Sequence, residues 1–117
     1  MRNRKRGAGF TLVEIMIVVA IIGLLAAIVI PNLVKSRQQS RASACVNNLR
    51  LLSAAKDQAA IELGLNETVV PTTAQISPYL KNTKLVGGLP VEPGGGSYTV
   101  GAVSTDPTCS LGGTHTL

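Results

Sequence analysis

Apolar residues follow three rhythms along this chain, and each predicts a different element. From Phe10 to Ile30 they run almost unbroken, and of these 21 positions only Thr11 and Glu14 are clearly polar. As a helix the stretch reaches about 31 Å, the thickness of a hydrocarbon core. A helix apolar on every face predicts a membrane span rather than the core of a soluble protein. From Asn32 to Leu63 the apolar positions thin to one stripe, with Cys45, Leu49, Leu52, Ala59 and Leu63 recurring at spacings of three, four or seven and Val46 beside them. That period predicts an amphipathic helix. Arg37, Gln38, Arg41, Asn48, Lys56 and Asp57 then form its solvated face. Gly64 is the stop signal, and residues 10–63 joined in one helix extend roughly 80 Å.

Beyond Gly64 the rhythm breaks into turn chemistry. Thr72 or Thr73 is placed to cap a short helix through "AQISPYLK", with Pro78 in its first turns. "SYTVGAV" alternates as a strand, "STDPT" reads as a turn and "CSL" as the returning strand. This hairpin is expected to lie on the apolar stripe of the helix, with Tyr98, Val100 or Val103, and Leu111 as its contacts. The triglycine after Pro93 lacks the following Lys-Ser/Thr of a phosphate cradle and reads as a flexible loop. The predicted fold class is therefore α+β, a long N-terminal α-helix bearing a small head. The predicted divisions are a basic leader at 1–9, a spanning helix at 10–30, an amphipathic helix at 31–63 and a head at 64–117.

Charge changes this picture through its placement. The formal charge is +5, but Arg2, Arg4, Lys5 and Arg6 supply four of the eleven basic residues. Without residues 1–9 the balance is seven basic against six acidic, or +1, which removes the electrostatic footprint of a nucleic-acid binder. With no Trp and only Phe10, Tyr79 and Tyr98 as aromatics, an aromatic-lined ligand pocket is not expected either. The basic residues ahead of the span predict a cytoplasmic N-terminus, although Lys35, Arg37 and Arg41 make the far flank basic too.

The small residues Gly7-Ala8-Gly9 precede the apolar run, whereas an ordinary secretory signal carries its cleavage site after it. Cutting after Gly9 keeps the helix and creates a new ammonium on Phe10. An acid such as Glu14 is costly in hydrocarbon unless paired or snorkelling to the interface, and that ammonium is a partner for it, within one chain or between neighbours. The stretch Gly9-Phe10-Thr11-Leu12-Val13-Glu14 after a short basic leader, with Gly23 and Pro31 further on, closely resembles the N-terminus of type IV pilins and of the pseudopilins of type II secretion and competence systems. The resemblance covers about the first 35 residues. It implies cleavage between Gly9 and Phe10 by a membrane prepilin peptidase and N-methylation of Phe10 with S-adenosylmethionine, a cofactor of the processing enzyme and not of this chain. It also implies storage in the inner membrane, an assembly platform, and a helical homo-oligomeric filament in which Glu14 docks against a neighbour's N-terminus.

Taking Glu14 as zero, Ala20, Gly23 and Ala27 cluster at about 180–240°, while Val18, Ile21, Leu25 and Ile28 lie within about 40° of the acid. Unlike faces of this kind engage unlike neighbours, a heterologous contact that propagates as a fibre. Pro31 is expected to kink or weaken the helix by about 3 kcal/mol, and the resemblance implies melting between Gly23 and Pro31 in assembled filaments.

For the head, Cys45 and Cys109 are expected to form a disulfide, with two free thiols as the alternative. His115 reads as a surface side chain, and neither a catalytic triad nor a metal site is expected. Glu92 and Asp106 supply too few oxygens for calcium, which weighs against a major pseudopilin. Asn66-Glu67-Thr68 matches a glycosylation sequon and reads as a chance match. The expected function is a filament subunit and not an enzyme. The rivals are a pseudopilin and a single-span binding protein that never polymerises.

Overall fold

The computed structural model describes residues 7–81 and 83–117. The leader residues Arg2, Arg4, Lys5 and Arg6 lie outside the described residues. The chain divides into two compact units, Met1–Ser36 and Arg37–Leu117.

One helix, α1, runs from Leu12 to Leu63. It ends as Gly64 predicts: the glycine adopts φ 62°, and the Leu65 amide donates back to the Ala60 carbonyl at 3.0 Å, the long bond of a Schellman cap. Pro31 lies inside the helix without ending it, so in this unassembled chain the segment from Gly23 to Pro31 is helical.

In the first unit, none of the most apolar 18-residue window of α1 is buried, and the helix is long and apolar enough to cross a membrane. Phe10, Leu12, Leu24 and Ile28 are among its exposed large side chains.

In the second unit the core forms along the predicted stripe. Cys45, Leu49, Leu52 and Ala59 are buried, and Ile76, Leu80, Tyr98, Val100 and Cys109 close over most of that row. Fully burying Leu49, Leu52 and Ile76 contributes about 1.5–3 kcal/mol each. Leu63 and Leu111, expected in this contact, are instead half exposed. Leu63 is the last residue of α1, and Leu111 follows the end of the second hairpin.

Three small elements build the head. Helix α2, Thr73–Ile76, continues into a 3-10 turn at Ser77–Tyr79 that holds Pro78 near its start. Thr72 is its N-cap, and its amide donates to Gln75 Oε1 at 2.8 Å. Strands β1 (Leu85–Val86) and β2 (Leu89–Pro90) pair antiparallel, with Val86 opposite Leu89. Between them Gly87 and Gly88 both have positive φ, 62° and 85°, the requirement of a two-residue hairpin turn. Strands β3 (Tyr98–Thr99) and β4 (Thr108–Cys109) form the predicted hairpin, with Tyr98 opposite Cys109. The second hairpin is only two residues deep, and the carbonyls of Val100, Ala102 and Thr105 between its strands accept from Lys56.

Candidate functional site

The N-terminal site is built from the start of α1. Residues 7–11 are non-helical and exposed, with Phe10 86% exposed, so the Gly9–Phe10 bond lies in accessible, irregular chain of the kind a peptidase takes. A side chain at Gly9 would meet nothing within 4 Å, so the packing here does not demand glycine. Immediately after the bond, Thr11 and Glu14 form a reciprocal cap. The Thr11 amide donates to Glu14 Oε2 at 2.9 Å, and the Glu14 amide donates to Thr11 Oγ1 at 3.3 Å. The spacing T-x-x-E is a capping box. The same spacing stands in the sequence as "TLVE".

Glu14 therefore has a partner in the uncleaved chain, and the carboxylate is held one turn from Phe10. A chain beginning at Phe10 would carry its ammonium one turn from this carboxylate. Gly23 and Ala27 are exposed on the same helix, and a Cβ at Gly23 would meet nothing within 4 Å. That leaves the small-residue face open to another surface.

The second unit corrects several readings of the head. Lys56, read as part of the solvated face, is 1% exposed. Its Nζ donates to the carbonyls of Val100 at 3.3 Å and Ala102 at 2.9 Å, and also to that of Thr105. Three carbonyls match the three donors of an ammonium. The signal was present, because position 56 falls seven residues after Leu49 in the apolar stripe. Burial draws its pKa below the ordinary value, against the opposing pull of Asp57 and Asp106. Asn48, also read as solvated, is half buried and donates to Val91 O and Tyr98 Oη, each at 3.1 Å.

The two cysteines expected to bridge, Cys45 and Cys109, lie close together, their Sγ atoms within 4.8 Å. Both thiols are buried and free, and the hairpin brings Cys109 onto α1 in company with Glu92 and His115. The four ligand atoms lie within 4.8 Å of one another. His115, read as a surface residue, has a side chain 16% exposed, with Nδ1 3.4 Å from Glu92 Oε1. Burial pushes the Cys45 thiol up to about 11, with the neighbouring Cys109 and Glu92 adding to the rise. Asp106 is exposed, and its carboxylate is not part of this cluster. Sequence reasoning missed the constellation because its members are spread from position 45 to position 115.

Residues 4–30 match the family described as the prokaryotic N-terminal methylation motif. The type IV wide pilus major component PilA4 of Thermus thermophilus is 35% identical over 113 residues, covering 97% of this chain and 76% of that protein. The type II secretion system core protein G of Pseudomonas aeruginosa is 32% identical over 111 residues, covering 82% and 74%. The type IV major pilin protein PilA of Myxococcus xanthus is 53% identical over 55 residues, which is 47% of this chain and 25% of that protein. No solved structure matches. A processing motif ahead of an exposed apolar helix, and a small head folded on the far half of that helix, place this chain in the family of type IV pilins and type II secretion pseudopilins.

Proposed function

We propose that this chain is the precursor of a type IV pilus-like filament subunit. It is cleaved after Gly9 by a prepilin peptidase, N-methylated on Phe10, and polymerised through residues 10–30 from the inner membrane by an assembly platform. The observation that carries the reading is the wholly exposed apolar window of α1, with a capped acid in the first turn of that helix, four residues beyond an accessible Gly9–Phe10 peptide. Lipid satisfies the apolar surface before assembly, and neighbouring copies satisfy it afterwards.

The charge logic supports assembly over simple anchoring. Cleavage generates an ammonium with a reference pKa near 8 beside Glu14, and in a hydrocarbon-like filament core neither charge is tolerable without the other. A pair made between chains ties subunit addition to processing. No catalytic chemistry is assigned to the head, which forms the exposed surface of the fibre.

A second reading, a pseudopilin forming a short periplasmic filament for secretion, is favoured by the core protein G relatives. The one from Vibrio cholerae is 32% identical over 84% of this chain. Shearing fibres from intact cells separates the two readings. Surface fibres containing this chain support the pilus subunit, whereas fractionation with the periplasm and inner membrane supports the pseudopilin.

A further inference from the structure

We propose that the head carries a tetrahedral zinc site formed by Cys45, Glu92, Cys109 and His115. These residues come from α1, the loop after β2, strand β4 and the segment following β4, and their ligand atoms lie within 4.8 Å of one another. Cys45 is fully buried, Glu92 is 5% exposed and Cys109 8% exposed.

Two buried polar atoms inside the cluster add to the case for an ion. Glu92 Oε1 and His115 Nδ1 face each other at 3.4 Å but form no hydrogen bond, with each other or with any other described residue, a state that buried polar atoms rarely tolerate without cause. Glu92 is held so that this oxygen alone is available. Its Oε2 accepts the amides of Gly94 at 2.6 Å and Gly96 at 2.8 Å, leaving Oε1 directed at the imidazole. Outer hydrogen bonds of this kind fix a ligand's orientation and tune its basicity. The loop supplying them is close-packed: a Cβ at Gly96 would approach Ser110 Oγ to 2.8 Å, and one at Gly94 would approach Leu111 Cδ1 to 2.8 Å.

The geometry suits zinc. Bonds of about 2.0–2.2 Å to nitrogen and oxygen give a tetrahedral N···O edge of about 3.4 Å, and the Nδ1–Oε1 distance is 3.4 Å. The corresponding S···S edge is about 3.8 Å, reached from the present arrangement by small side-chain movements. Two thiolates and an imidazole select a borderline-soft metal, and four ligands are too few for calcium. A thiol must lose its proton to ligate, so binding releases protons and strengthens as pH rises.

The site ties the helix to the hairpin and to the segment that follows it, the role the sequence suggested for a disulfide. The two are mutually exclusive, because both use the same sulfurs. The test uses the full chain in detergent, reduced with a non-chelating phosphine, stripped of metal and titrated with zinc and separately with cobalt. Stoichiometric zinc, a thiolate-to-cobalt charge-transfer band with tetrahedral ligand-field intensity, and a thermal midpoint raised by zinc are expected. His115→Ala, close to a chain end and half buried, should keep its circular dichroism and weaken zinc by at least about tenfold. Cys109→Ser should lose the charge-transfer band or halve it. A reduced chain that binds neither metal would overturn the proposal. So would binding unchanged in both variants, or protein isolated without reductant that is two hydrogens lighter and free of zinc.

Discussion

Thr11 and Glu14 hold each other at the first turn of α1, each accepting the other's backbone amide through its side chain. Glu14 thus has two separable duties, capping the helix and carrying a negative charge. Gln caps equally well through its amide oxygen, so Glu14→Gln removes the charge alone. A charge-assisted contact is worth about 1.5–3 kcal/mol, and its loss from every subunit interface corresponds to at least about tenfold weaker association. Glu14→Gln should insert in the membrane and retain helix content while fibre yield falls steeply. Normal fibre yield would show that capping is its only role.

The small-residue face of the span gives a second expectation. Gly23 and Ala27 are exposed on α1, so Ala27→Phe disturbs nothing within the isolated chain. If this face approaches a neighbouring helix closely, the bulky ring blocks assembly and leaves membrane insertion intact. Quantifying sheared fibres against membrane-bound precursor reads both effects.

Lys56 makes a stability prediction for the head. Lys56→Met preserves the length of the stem but leaves the carbonyls of Val100, Ala102 and Thr105 without their donor. An unsatisfied buried acceptor costs about 1–3 kcal/mol, and since only the Val100 bond is fully buried while those to Ala102 and Thr105 are partly so, a net loss of about 1–3 kcal/mol is expected. Arg at this position is no substitute, since its planar fork does not match three converging carbonyls. Denaturant unfolding of the two variants against wild type measures both.

Glu62 and Tyr79 predict a pH dependence. The Tyr79 hydroxyl donates to the Glu62 carboxylate, and this bond, with a further one from Gln58, holds the acid below its ordinary value of 4.5. The folded chain then binds fewer protons than the unfolded chain in the acid range. The contribution to stability is complete above 4.5 and is lost as pH falls through the lowered folded value. Tyr79→Phe should remove that part of the acid limb, as read from thermal midpoints across the carboxylate range. Identical pH profiles for variant and wild type would contradict it.

The long helix was legible because its signals are local. Hydrophobic continuity, a 3.6-residue stripe and Gly64 each fix a backbone choice without reference to distant residues. The hairpin at Tyr98 and the cap at Thr72 were legible on the same grounds. The first hairpin was also written locally, in Gly87-Gly88 between apolar pairs, but its strands are too short to show alternation. Lys56 and Asn48 were misread because polarity was taken as exposure, although Lys56 sits in register with the stripe. The approach of Cys109 to Cys45 was expected from the sequence, whereas Glu92 and His115 join them through tertiary placement alone.

The central claim is that cleavage after Gly9 frees a cation on Phe10 that a neighbouring copy's Glu14 satisfies within a filament. The most direct measurement is mass spectrometry of the N-terminal peptide from assembled filaments. The account predicts a chain beginning at N-methylated Phe10 in the assembled fraction, with uncleaved precursor confined to the membrane. Filaments built from chains that still carry residues 1–9 would contradict it.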